Sequence, residues 1–287
     1  MPLYYDDDQT MLADTAGQFM AEEGSIKNQL RHWRDRQCKD GFGHSLWQQF
    51  AEMGFTGMLV DEDDGGLGMG QVEANIVLEE IGRNLTPSPF LSSSVLAATA
   101  LKHGSNDVKG RWLPDLISGE KVYGVAIDEG RKHRPETIAC KAEKSGNGFK
   151  LSGKKDFVVY GASAEMIVVA ARTSGSDSDV DGVTLFAVPQ DAAGMSHDSV
   201  RLVDSSMASH VTFDGVELDG DAVIGEVDGG WEIMKAALKY ERGIAGGQFP
   251  SPPLIDAFIE YAREASRPDA TALVEDQLVR ERLVRAM

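Results

Sequence analysis

Leu46-Trp47-Gln48-Gln49-Phe50-Ala51-Glu52-Met53-Gly54-Phe55-Thr56-Gly57 runs into Val60-Asp61-Glu62-Asp63-Asp64-Gly65-Gly66-Leu67-Gly68. In the first half, Leu46, Trp47, Phe50, Ala51 and Met53 recur at the spacing of one helical face, which predicts a helix over Ser45–Met53. The second half cannot continue it. Four glycines between Gly65 and Gly70 break any helix, so Asp63–Gly70 is predicted to be a loop.

Helical spacing extends to both sides of this stretch. Upstream, Asp8–Glu22 places Met11, Leu12, Ala16, Phe19 and Met20 on one face. Downstream, Gln71–Leu85 does the same with Val72, Ile76, Val77, Leu78 and Ile81. Thr86-Pro87-Ser88-Pro89 ends that helix and starts another carrying Leu91, Val95, Leu96 and Leu101, and a short helix follows over Val108–Leu116. From Lys121 the period changes to two. Strands are predicted over Lys121–Ile127, Gly148–Gly153, Met166–Ala171, Gly182–Val188 and Ser209–Val216, with the polar run Ser174–Asp181 as a hairpin tip. From Gly229 the helical period returns through Trp231, Ile233, Met234, Ala237 and Leu238. A break is predicted at Phe249–Pro253, a helix over Leu254–Ala265, an N-cap at Asp269 or Thr271, and an amphipathic helix over Leu273–Met287.

The fold expected is thus α+β and multidomain: an all-α N-terminal domain (1–120), a middle β-barrel or sandwich domain (121–226), and a truncated C-terminal α-helical bundle (227–287). A bundle cut short would expose an apolar face around Ile255, Phe258, Leu273, Leu278 and Leu283, which invites a partner.

Composition narrows the function. With 28 Lys+Arg and 46 Asp+Glu in 287 residues, the net charge of −18 argues against nucleic acid and anionic membrane surfaces as partners. No run approaches the length of a membrane span, and the acidic N-terminus lacks a signal-peptide layout, so a cytoplasmic location is expected. Cys38 and Cys140 stand far apart without histidines at ligand spacing, so no metal site is expected. There is no Gly-x-Gly-x-x-Gly between a strand and a helix, no Gly-x-Ser-x-Gly and no His-Glu-x-x-His.

Five phrases in order resemble the acyl-CoA dehydrogenase family: the opening stretch; Leu78-Glu79-Glu80-Ile81-Gly82-Arg83 with Pro87-Ser88-Pro89-Phe90; Arg111–Glu120; Leu151-Ser152-Gly153-Lys154-Lys155; and Asp228-Gly229-Gly230-Trp231. Asp61 replaces a proline usual in the first. The resemblance implies an oligomeric FAD enzyme that desaturates an acyl-CoA thioester. A carboxylate takes the α-proton, a hydride passes to flavin N5, and an electron-transfer acceptor protein reoxidises the flavin.

The resemblance also implies site residues. Glu241 in Leu238-Lys239-Tyr240-Glu241-Arg242-Gly243 matches the base of one branch of the family, with Arg242 beside it. A Glu-Arg pair fits an exposed helical face equally well. Tyr123, Val125 and Ala126 match the first flavin-side strand, where Ala126 stands in place of a hydroxyl residue and the Gly-Ser part of the motif is absent from Ile127–His133. Phe157, Val158 and Val159 match the second flavin stretch, where Val159 replaces a threonine. Each lost donor is worth about 0.5–1.5 kcal/mol of net binding. Arg263 or Arg267 would meet a phosphate in the family's pattern, although the Phe-Gly that follows there is missing. Two readings follow. The chain is an acyl-CoA dehydrogenase, alone or in a homo- or hetero-oligomer with another acyl-CoA dehydrogenase-like chain. Alternatively, it is a flavin-poor, non-catalytic partner subunit of such a pair.

Overall fold

A computed structural model describes residues 5–245, 253–266 and 271–286, with backbone only at 240–245, 253–256 and 286. The chain divides into two compact units, Met1–Arg242 and Gly243–Met287.

The first unit begins with helices α1 (Asp7–Glu22), α2 (Leu30–Asp35), α3 (His44–Glu52) and α4 (Gln71–Asn84). Asp6 caps α1 by accepting from the Gln9 N–H at 2.8 Å. The Gln9 side chain then donates to Glu73 of α4 at 2.7 Å. The apolar faces read from sequence meet in one core centred on fully buried Phe50, whose ring lies 5.7 Å from Phe19 and from Phe55 and 6.2 Å from Phe90. The glycine loop folds back on the chain just before it. The Gly68 N–H donates to the Val60 carbonyl at 2.8 Å and the Met69 N–H to the Met58 carbonyl at 2.8 Å. Gly65 turns with φ +87°, and a Cβ on Gly66 would lie 2.2 Å from the Val60 carbonyl oxygen. Here the glycines are required by close backbone approach.

After α4 the chain forms a π-helical segment, Leu91–Ala97, which continues into α5 (Ala98–Leu101), then α6 (Asn106–Ile117). Eight strands follow: β1 (Tyr123–Ala126), β2 (Lys141–Ser145), β3 (Gly148–Val159), β4 (Met166–Arg172), β5 (Val183–Pro189), β6 (Met195–Arg201), β7 (Met207–Leu218) and β8 (Val223–Ile224). Their order is β6-β7-β3-β2-β4-β5-β8, with β1 parallel to β4. β2 and β4 share a single register pair, Lys141 with Arg172, so the sheet bends there and its halves pack face to face. Phe149 of β3 meets Phe186 of β5 across the gap at 5.1 Å. The expected sandwich is therefore present.

Alternation assigns the two faces of β4 and β5. Met166, Val168, Ala170, Val183, Leu185 and Ala187 pack with Trp112, Leu113 and Leu116 of α6. Ile167, Val169, Ala171, Phe186 and Val188 pack inside the sandwich with Leu151, Val211 and Phe213. The unit ends on α7 (Gly230–Ala245), whose Ile233, Met234 and Leu238 join the same core as α6.

The second unit holds α8 (Pro253–Glu264) and α9 (Gln277–Ala286). The predicted break at Phe249–Pro253 lies outside the described residues except for Pro253, which opens α8, and Asp269 also lies outside them. The last helix starts later than the sequence spacing predicts. Leu273–Glu275 is a single 3₁₀ turn, and Asp276 caps α9 by accepting from the Leu278 and Val279 N–H groups at 2.7 and 3.1 Å. Phe258, Tyr261, Leu278 and Val284 are exposed.

One buried charge ties β3 to the segment after β1. The Lys155 ammonium has no solvent exposure and donates to Glu129 at 2.6 Å and to the Ile127 carbonyl at 2.9 Å. Desolvation holds its pKa below the ordinary lysine value, against the pull of Glu129.

Two outcomes are expected. Gly66→Ala lowers the urea midpoint because a backbone oxygen blocks its Cβ, whereas Gly82→Ala, exposed on α4 with nothing near its Cβ, raises stability by about 0.5–1 kcal/mol. Glu129→Gln strands the buried ammonium and costs about 3–5 kcal/mol, much of it recovered when Lys155→Met is added, as read by chemical unfolding.

Candidate functional site

A cavity of about 750 Å³ opens within the first unit. This lies within the roughly 300–1,000 Å³ of small-molecule sites. The π-helical segment supplies Leu91, Ser92 and Leu96, β1 and the residues after it Val125 and Ile127, and α7 Leu238. A π-helical turn re-aims side chains out of α-helical register, and such turns recur at functional sites.

The cavity wall from β3 depends on a bulge. The β3–β7 register slips between Lys155 and Val158, and Phe157 adopts φ +59°. For a bulky residue this left-handed backbone is strained. The result is alternation across the strand. Val158 is buried inside the sandwich, while Phe157 and Val159 line the cavity, and Phe157 is 58% exposed. A large exposed aromatic on strained backbone is what stacking on a planar ligand requires.

Asp128, His133, Asp156 and His210 line the cavity too. The Asp156 N–H donates to the Asp128 carbonyl at 2.7 Å. His133 Nδ1 lies 2.9 Å from the Asp128 carboxylate and His210 Nδ1 2.6 Å from that of Asp156. An ionised carboxylate only accepts, so each Nδ1 carries the proton and each Nε2 is left for other partners. Arg131 is also among the lining residues.

The residues predicted from sequence separate. Val125, Phe157 and Val159 line the cavity together. Ala126 and Val158 are buried within the sandwich, and Tyr123 lies in the core beside α6, its hydroxyl donating to the Trp112 carbonyl at 2.7 Å. Burial pushes the Tyr123 phenol far above its ordinary range, so it remains a donor. Glu241 and Arg242 lie on the α7 backbone, and their side chains fall outside the described residues. Arg263 lies on α8 in the second unit, and Arg267 falls outside the described residues. Sequence reasoning missed Asp156 and His210, and it read Leu91–Ala97 as an ordinary helix. Asp156 and His210 stand 54 positions apart and meet only through β3–β7 pairing. Burial raises the Cys140 thiol to about 11, which removes it as a nucleophile near neutral pH. Among the described residues no three His, Cys, Asp or Glu side chains are placed to hold a metal, and no helix is long and apolar enough to cross a membrane.

The architecture has known counterparts. The acyl-CoA dehydrogenase N-terminal domain matches residues 6–120 and the acyl-CoA dehydrogenase middle domain residues 131–216, together more than half of the chain. The acyl-CoA dehydrogenase FadE12 of Mycobacterium tuberculosis is 28% identical over 223 residues, 74% of this chain and 56% of the relative. The chain thus spans little more than half the length of that curated relative. Among solved structures, the ChsE4-ChsE5 complex from Mycobacterium tuberculosis aligns with a TM-score of 0.79 at 20% identity, over 100% of this chain and 74% of that one. An FAD complex of PigA aligns with a TM-score of 0.83 at 19% identity, over 100% and 76%. These structures share the fold. With helical and sandwich domains each matched in order, and four of the five sequence phrases running through them, the chain belongs to the acyl-CoA dehydrogenase family.

Proposed function

We propose that this chain is the flavin- and acyl-binding part of an FAD-dependent acyl-CoA dehydrogenase. It acts in an oligomer with a second acyl-CoA dehydrogenase-like chain and passes electrons to an acceptor protein. The observation that carries the reading is the cavity whose wall is the exposed, strained Phe157 between Val125 and Val159.

The residues present fit a flavin. The lining is mainly apolar, an aromatic face is held ready, and donors and a guanidinium are among the lining residues. Val125, Phe157 and Val159 would hold the ring, and His210 and Arg131 offer polar contacts. FAD, when bound, supplies the acceptor for the hydride that desaturation releases from the acyl β-carbon. The chain's own part is to place the thioester and remove a proton. Leu91, Leu96 and Leu238 provide apolar surface for an acyl chain and exclude water. Glu241 follows Leu238 by three residues, close to one turn of α7, and is proposed to take the α-proton, with Arg242 as its neighbour. Desolvation raises the pKa of a carboxylate and makes it a stronger base than one in water.

A second reading has its own observation. Val159 lines the cavity where the family's pattern carries a threonine, which removes one side-chain donor from this wall. On that reading the chain is a flavin-poor subunit whose partner holds most of the cofactor, an arrangement compatible with the fold it shares with the heteromeric ChsE4-ChsE5 complex.

Titrating FAD into the full chain separates the two. Saturable quenching of flavin fluorescence, weakened about tenfold by Phe157→Ala, supports the first reading. Binding that needs a co-expressed second dehydrogenase chain supports the second. In the flavin-loaded protein, Glu241→Gln is expected to lower acyl-CoA turnover by at least about a hundredfold and leave flavin affinity unchanged. Undiminished turnover removes Glu241 from the chemistry.

A further inference from the structure

A single residue stands opposite the bulge that exposes Phe157. Lys155 pairs with Val211 and Val158 with Ser209, so Asp156 and Phe157 of β3 both face His210 of β7. Across that two-against-one step, His210 Nδ1 lies 2.6 Å from the Asp156 carboxylate. Asp198 of β6 is the register partner of His210, yet the imidazole bonds the carboxylate in the bulge. The Asp156 N–H donates to the Asp128 carbonyl at 2.7 Å. Asp156 is thus held through backbone and side chain together, one residue before Phe157 and its φ of +59°. The Phe157 side chain has no comparable hold. It is 58% exposed and packs into none of the hydrophobic cores.

We propose that His210 is a positioning residue: through Asp156 it clamps the bulge and so holds the Phe157 ring in place for the planar ligand of the cavity. The inference rests on the reading of the cavity given above. Solvent reaches both members of the pair, whose side chains are 52% and 34% exposed, and exposed pairs of this kind stabilise a fold little. The role of the pair is therefore geometric. Left-handed backbone at a bulky residue persists only where its surroundings over-determine it. Val158, buried in the sandwich, fixes the chain just after Phe157, and the His210–Asp156 bond fixes it just before. An aromatic face held in this way leaves less ordering to be done on binding. His210 also lines the cavity, so its one competing role is direct contact with the ligand. A double-variant cycle separates the two, because a residue that acts through Phe157 has nothing to act on once the ring is gone.

The test uses the full chain, with FAD and riboflavin as separate probes in flavin-fluorescence titrations. His210→Ala is expected to weaken both by about fivefold, and His210→Gln, whose amide still donates to Asp156, to restore most of the loss. In the Phe157→Ala background, His210→Ala is expected to change either affinity by less than about twofold. A second readout needs no ligand. In the chain labelled with 4-fluorophenylalanine, the Phe157 signal is assigned by its loss in Phe157→Leu. His210→Ala is expected to sharpen that fluorine signal and move it toward the position of the free amino acid, while the urea midpoint stays near that of the wild type. Equal losses of affinity with and without the Phe157 ring show direct contact with the ligand and overturn the positioning role. An unchanged fluorine signal overturns it too, as does a large fall in the urea midpoint. If the wild-type chain binds neither FAD nor riboflavin, the cavity reading falls, and the fluorine signal alone then decides whether His210 holds the ring.

Discussion

The ammonium of Lys155 is the constraint around which the candidate site is arranged. An unpaired charge in this interior would be prohibitive, so the fold brings it a carboxylate, Glu129, and a carbonyl, Ile127, both from the segment that follows β1. Satisfying the lysine therefore fixes that segment against β3. Once it is fixed, the Asp128 carbonyl stands within reach of the Asp156 N–H, and Arg131 and His133 line the cavity. Hydrogen bonds that begin in the core thus end among the residues of the cavity lining.

The same strand carries the strain. Left-handed backbone at a residue such as Phe157 costs on the order of 1–3 kcal/mol. The neighbours hold it. Val158 is buried in the sandwich, and its pairing with Ser209 resumes the β3–β7 ladder immediately after the bulge. The core thus supports an aromatic ring that gains little from folding, since more than half of it stays exposed. A residue kept exposed at that cost is better explained by what it contacts in a complex than by the stability of the chain.

How much of this was legible depended on whether a signal was local. Helical faces such as Leu46–Met53 and the fully buried β4 could be read because burial stamps a period on the sequence. β2 (Lys141–Ser145) and β6 (Met195–Arg201) could not. Their residues are mostly polar and exposed, and their pairing with β3 and β7 is set by the partner strand. In the site, Phe157 and Val159 were found by resemblance to a known pattern. The Asp156–His210 pair joins residues 54 positions apart through strand register, information that no local window holds.

Strand alternation also changes the weight of the two substitutions that the sequence set side by side. Ala126 and Val159 both stand where the family's pattern carries a hydroxyl. Yet the Ala126 side chain is buried among Ile167, Val169 and the other residues of the sandwich interior, whereas Val159 faces the cavity. A hydroxyl at 126 would need a partner inside an apolar core, so its absence removes nothing from the cavity wall. Only Val159 takes a side-chain donor away. The cavity's other polar residues include Ser92, His210 and Arg131, which lie on other elements. Relative to the family's pattern, the wall of this cavity loses one hydroxyl, at Val159, and keeps the exposed Phe157 beside His210 and Arg131.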